Sequence, residues 1–306
     1  MSYHEISDRS PRIAVLGLGA MGMPMATRLH QAFPVTVFDV NDTRKACLVA
    51  EGATDAPSPA EAAAGADVVL LAVRDQRHVE QALFGDGGAA TGLRPGSLVI
   101  LTSTVGPQTA RDVAGRLARD DIALVDAPIS GGPARAGTGD LLIVVGASEE
   151  AFLHARPVLD QLASTLIRIG SAPGDGQALK AINQLLAGVH IAAAAEAVAL
   201  ARGLGLDLEA VLQATTSGAA ASFMLADRGP RMIDYGEDDA PVRSRLDIFV
   251  KDLAIVADLA AATRVPIPVA AAAQQLFLLG ERSGLGAADD SSLTSILFRR
   301  ASPPRP

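Results

Sequence analysis

The stretch RIAVLGLGAMGMPMATRL, Arg12 to Leu29, decides the fold. It opens as a short aliphatic run, turns through Gly17, Gly19 and Gly22, and continues with apolar residues at helical spacing. In a G-x-G-x-x-G between a strand and a helix, the glycines serve the tight turn, the approach of a pyrophosphate to the helix N-terminus, and close packing of helix on strand. The expected dinucleotide cradle is therefore Gly17, Leu18, Gly19, Ala20, Met21 and Gly22. Just outward, VTVFDV places Asp39 at the end of a second strand, 22 residues beyond Gly17. A carboxylate there accepts hydrogen bonds from the adenosine ribose and repels a 2′-phosphate, which favours NAD over NADP. Arg44 lies close enough to leave some NADP use open.

Further along, short β-branched runs alternate with helical segments. Strands are expected at 12–16, 35–39, 67–73, 97–101, 122–125, 141–145 and 166–169, with helices at 21–32, 42–51, 76–84, 107–119 and 149–162. Runs such as DVVLLAV and SLVIL are apolar at every position, as strands buried on both faces of a parallel sheet are. After GSAPGDG, Gly170 to Gly176, the pattern becomes helical only, at 177–204, 207–216, 247–263 and 266–283. The expected architecture is an N-terminal α/β domain with a doubly wound parallel sheet, of the Rossmann type, over residues 1–172, followed by an all-α domain over 173–306. The Pro-rich tail RRASPPRP is expected to be disordered.

Composition narrows the function classes. The chain has 306 residues, is 49% hydrophobic, and carries a net charge of −8 with 3% aromatics. That balance lacks the basic patch and stacking side chains of a nucleic-acid binder. The mean hydropathy of +0.28 raises the question of a membrane span. The most apolar segment, Leu185 to Ala201, is short, alanine-rich and interrupted by His190 and Glu196, so it reads as a buried core helix. The N-terminus has no apolar run of the secretory type, and the expected location is the cytoplasm. A single cysteine, Cys47, and five histidines without ligand spacing argue against a metal site. No P-loop is present, which argues against nucleotide hydrolysis.

All but three of the 26 basic residues are arginine; the exceptions are Lys45, Lys180 and Lys251. Arginine does not deprotonate in proteins, whereas a desolvated lysine can. Lys180 sits in the apolar stretch GQALKAINQLLAGVHIAAAAEAVALA, so it is a candidate general base, with a snorkelling side chain as the plainer explanation. Asn183 and Gln184 follow at i+3 and i+4 on the same helical face, where two amides beside a lysine suit substrate orientation better than core packing. Upstream, DAPISGGPARAGTGD is too rich in Gly and Pro for regular structure. Ser130, Gly131 and Gly132 offer a hydroxyl and open amides to a small carboxylate, although this segment alone reads equally as a plain loop.

At this point the chain resembles the β-hydroxyacid dehydrogenases. GLGAMGMPMA is similar to that family's cofactor turn, DAPISGG to its substrate signature, GDGQALKAINQ to its catalytic helix, and FVKDL to its late lysine motif. The resemblance implies that Ser130, Gly131 and Gly132 bind the substrate carboxylate, Lys180 is the acid/base, and Asn183 holds substrate. It also implies that Thr104, in TSTVGP, and Lys251 lie by the nicotinamide end of NAD. Two departures stand out. Gln184 replaces a second asparagine common in the family, and AVRDQ replaces a frequent Leu-Pro dipeptide.

The strings NQLLAGVHIAAAAEA and LDIFVKDL resemble the branch acting on L-threonate, which implies oxidation of a small anionic hydroxy acid. The alternatives are 3-hydroxyisobutyrate oxidation or tartronate semialdehyde reduction, and further off an imine reductase or a non-catalytic scaffold. The apolar helical domain suggests a homodimer or homotetramer.

Overall fold

A computed structural model describes residues 10–234 and 242–298. The first nine residues and the tail, expected to be disordered, lie outside them. By compactness the chain divides after Lys180 into two units.

Among its described residues the first unit has nine strands: β1 (Ile13–Leu16), β2 (Val35–Phe38), β3 (Thr54–Asp55), β4 (Val68–Leu71), β5 (Leu98–Leu101), β6 (Ala123–Asp126), β7 (Ile129–Ser130), β8 (Leu141–Gly146) and β9 (Ala163–Gly170). The order is β3-β2-β1-β4-β5-β6-β8-β7, with β9 beside β8. From β3 to β6 every pairing is parallel. The doubly wound sheet is thus present, extended by a section in which β8 runs antiparallel to β6 and β7.

The aliphatic runs have a direct cause. Ile13 and Val15, Val68 and Leu70, and Leu98 and Ile100 join one core. Their neighbours Ala14 and Leu16, Val69 and Leu71, and Val99 and Leu101 join the core on the other face. With both faces covered by helices, every strand position must be apolar.

The helices of this unit are α1 (Gly22–His30), α2 (Asp42–Ala50), α3 (Pro59–Ala63), α4 (Gln76–Phe84), α5 (Pro107–Leu117), α6 (Gly132–Thr138) and α7 (Glu149–Leu162). One of the expectations needs correction, and two short elements went unread. DAPISGGPARAGTGD is not irregular: it contains β7 and α6, joined by Gly131 at φ 142° and Gly132 at φ 78°. The glycines serve a left-handed link, after which Pro133 is accommodated at the helix start, where its missing N–H costs nothing. The helical signal in PARAGT was masked by that composition. Likewise β3 and α3 are too short to show periodicity.

Helix α8 (Asp175–Gly203) begins in the first unit and runs into the second. Its 29 residues are long and apolar enough to cross a membrane, beyond the shorter segment weighed from sequence, yet half of the apolar window is buried within the protein. The second unit also holds α9 (Leu208–Thr216), α10 (Phe223–Ile233), α11 (Leu246–Thr263), α12 (Pro268–Gly280) and α13 (Thr294–Leu297). Among its described residues there is no strand beyond one isolated bridge. Helix α10 went unread because Gly229 and Pro230 interrupt its pattern. Its core gathers Ile191, Ala195, Phe249, Leu253 and Phe277, with the two phenyl rings stacked at 5.3 Å. Gly188 of α8 faces Leu253 of α11 so closely that a Cβ there would lie 3.0 Å from the leucine side chain.

Candidate active site

In the first unit the chemistry-bearing segments gather at the carboxyl ends of the parallel strands. The strand order reverses direction between β1 and β4, and such a switch point opens a crevice for a ligand. Gly17 follows β1 there with φ 96°, and a Cβ on it would sit 2.6 Å from the Ala72 carbonyl oxygen just after β4. At Gly22 a Cβ would overlap the Gly17 carbonyl oxygen, whereas Gly19 meets nothing within 4 Å. Two glycines are therefore demanded by the chain's own backbone. The third leaves the turn open on the side where a phosphate would approach, so these residues fit a dinucleotide.

Asp39 directly follows β2 and is 7% exposed. Its Oδ2 accepts from the Leu18 N–H at 2.6 Å, its Oδ1 accepts from the Asn41 N–H at 2.8 Å, and the Arg44 guanidinium stands 3.7 Å away. This changes the part Leu18 can take: its side chain is in the core and its amide is committed to Asp39. The partly or fully exposed residues of the turn are Gly17, Gly19, Ala20 and Met21.

The loops after β5 and β6 are locked to the start of α8 by Gln177, 1% exposed, and Asp126, fully buried. Asp126 Oδ2 accepts from the Gly174 and Gln177 backbone N–H groups, both at 2.9 Å, which caps α8. Gln177 Nε2 donates to Asp126 Oδ1 at 2.8 Å and to the Ser103 carbonyl at 3.0 Å. Its Oε1 accepts from Val105 N–H at 3.0 Å and Gly106 N–H at 3.2 Å. Burial pushes the Asp126 carboxyl above the ordinary range, against the hydrogen bonds from Gln177 and Gly174. Thr104 lies within the loop so anchored.

One turn after Gln177, Lys180 is 9% exposed, and its Nζ donates to the Ile129 carbonyl at 2.9 Å. The first unit thus brings the lysine to the residue that precedes Ser130, Gly131 and Gly132. Lys45, by contrast, bonds Asp42 and Asp55, both at 3.1 Å, and ties α2 to β3. Cys47 is exposed on α2.

In the second unit Asn183 Nδ2 donates to Gln184 Oε1 at 2.9 Å, and Gln184 Nε2 donates to Asp252 Oδ2 at 2.5 Å. Lys251 Nζ lies 2.7 Å from Asp252 Oδ1. Asn183, Gln184 and Lys251 are therefore joined through Asp252, to which the sequence reading gave no role. Gln177 and Asp126 were missed too, although they stand inside the quoted motifs; the i−3 spacing of Gln177 from Lys180 was the available signal.

Residues 12–170 match the NAD binding domain of 6-phosphogluconate dehydrogenase, and residues 174–297 match the NAD-binding region of NADP-dependent 3-hydroxyisobutyrate dehydrogenase. An L-threonate dehydrogenase from Cupriavidus necator is 41% identical, over 94% of this chain and 96% of its own length. A 2-(hydroxymethyl)glutarate dehydrogenase from Eubacterium barkeri is 32% identical over 94% of this chain and 95% of its own. The crystal structure of a 3-hydroxyisobutyrate dehydrogenase from Salmonella typhimurium superposes with a TM-score of 0.87 at 39% identity, covering 94% of this chain and all of that one.

Proposed function

This chain belongs to the β-hydroxyacid dehydrogenase family of NAD-dependent oxidoreductases, and we propose that it oxidises L-threonate, a four-carbon sugar acid, to its 2-oxo acid with Lys180 as general acid/base. The observation that carries this reading is the bond from Lys180 Nζ to the Ile129 carbonyl, beside the Ser130-Gly131-Gly132 turn. The likeness to relatives named L-threonate dehydrogenase supports the choice of acid.

In this mechanism the Ser130 hydroxyl and the Gly131 and Gly132 amides hold the substrate carboxylate. Asn183 orients the polyol, and Lys180 Nζ removes the proton from the hydroxyl being oxidised. The bound nicotinamide supplies the acceptor for the hydride leaving the same carbon. Gly19, Ala20 and Met21 would hold its pyrophosphate, Asp39 would take the adenosine ribose and favour NAD, and Thr104 and Lys251 would lie by the nicotinamide. A cytoplasmic homodimer or homotetramer completes the reading. The apolar side chains that α8 leaves in solvent, Ile182 at 58% and Leu200 at 66% among them, support assembly.

Replacing Lys180 tests the proposal. Lys180→Ala removes the proton carrier, so kcat should fall by roughly 10²–10⁴ while NAD binding persists. Lys180→Arg keeps the charge and cannot deprotonate, so it should be equally inactive. Substantial turnover by Lys180→Arg would assign the proton to another group.

A further inference from the structure

The second unit contains a chain of hydrogen bonds whose polarity is fixed at one end. Asp252 is 2% exposed, and its carboxylate contacts Lys251 Nζ on one oxygen and Gln184 on the other. A carboxylate only accepts, so Gln184 must turn its NH₂ toward Asp252, and its carbonyl oxygen is then what faces Asn183. Asn183 must in turn present its own NH₂ to that oxygen, as it does at 2.9 Å. Which way an amide points is thus settled by bonding logic rather than by atom shape. The close approach permitted by Gly188 against Leu253 holds α8 and α11 near enough for the Gln184–Asp252 bond. Gln184 is 7% exposed and Asn183 half-buried, so the relay starts in the core and emerges at Asn183.

We infer that Gln184 and Asp252 are positioning residues that hold Asn183 with its Oδ1 as a hydrogen-bond acceptor, selecting acids that carry a further hydroxyl on a carbon that is not oxidised. This rests on the reading of the chain as a hydroxy-acid dehydrogenase that holds substrate at Asn183. With NH₂ directed to Gln184, the opposite side of the Asn183 amide presents an oxygen. An oxygen suits an O–H donor; a methyl group in its place leaves it without a partner. The relay therefore favours a trihydroxybutanoate over deoxy or methyl-bearing analogues.

The experiment compares kcat/KM at saturating NAD for threo-2,3,4-trihydroxybutanoate, 2,3-dihydroxybutanoate and 2,4-dihydroxybutanoate. Wild type should prefer the trihydroxy acid over at least one deoxy acid by about tenfold, the worth of one hydrogen bond. Asp252→Asn is nearly isosteric but can donate as well as accept, which frees Gln184 and then Asn183 to reverse. Gln184→Leu cuts the relay outright. Both should reduce the preference to within about twofold; a general loss of activity cancels in the ratio because all three acids meet the same enzyme–NAD complex.

Wild type that oxidises all three acids alike, or variants that keep the preference, would overturn the relay and leave the dehydrogenase reading standing. No turnover of any hydroxy acid by wild type would sink both. Should neither variant fold, the side-chain amide protons of wild type decide. A Gln184 N–H bonded to a carboxylate must exchange slowly and resonate downfield, and free-amide behaviour would refute the inference.

Discussion

Gln177→Glu places a second carboxyl where Nε2 now donates to Asp126 Oδ1 at 2.8 Å and to the Ser103 carbonyl at 3.0 Å. The change is isosteric, and the Oε1 that holds Val105 and Gly106 is retained. Two buried carboxyls at hydrogen-bond distance cannot both ionise, so the pair must keep one proton. Asp126 already stands above the ordinary carboxyl range because of burial. Both groups lose their protons normally in the unfolded chain. The native state then binds about one proton more than the unfolded state once pH exceeds the ordinary carboxyl value of about 4. A folded pKa raised above the unfolded one gives stability that is complete at low pH and is lost as pH rises through the folded value. The slope is about 1.4 kcal/mol per pH unit in all, or about 2.7 kcal/mol between pH 5 and pH 7, and its excess over the wild type is that figure less the slope Asp126 already contributes. Urea denaturation followed by circular dichroism at pH 5, 6 and 7 measures it. Gln177→Leu is the uncharged control. It strands Val105 N–H, Gly106 N–H, the Ser103 carbonyl and Asp126 Oδ1, at about 1–3 kcal/mol each if none finds water, without the added pH slope. A Gln177→Glu profile that is flat between pH 5 and pH 7 would refute the lock.

Asp39→Ser removes both the repulsion of a 2′-phosphate and a ribose acceptor, so the NAD/NADP preference should fall at least tenfold in paired kcat/KM measurements; a wild type that already prefers NADP contradicts this account of β2. Ser130→Ala should raise KM for the hydroxy acid by about 10- to 100-fold with less change in kcat, the effect of one charge-assisted hydrogen bond lost from uniform binding. Loss of NAD affinity at unchanged KM would take Ser130 away from substrate. Gly22→Ala drives a methyl into the Gly17 carbonyl; dye-monitored melting should show a lower Tm, and a fluorescence titration should show NADH binding weakened tenfold or more. A variant as stable as wild type would mean that the turn has another conformation.

The sequence by itself determined the sheet and the glycines of the turn after β1, and it singled out the lysine. These rest on local rules: strands covered on both faces must be apolar throughout, a glycine must stand where backbone meets backbone, and an unusual lysine keeps its chemical identity wherever it lies. Gly17 and Gly22 could be read in that way because their constraint comes from Ala72 and from each other, within a motif of fixed form. Gln177, Asp126 and Asp252 could not. Gln177 reaches Asp126 across 51 residues, and Gln184 reaches Asp252 across 68. A glutamine or aspartate in a sequence shows only what it can donate or accept. Which partner it takes, and which way its amide must then point, was decided when folding brought distant acceptors together in buried places.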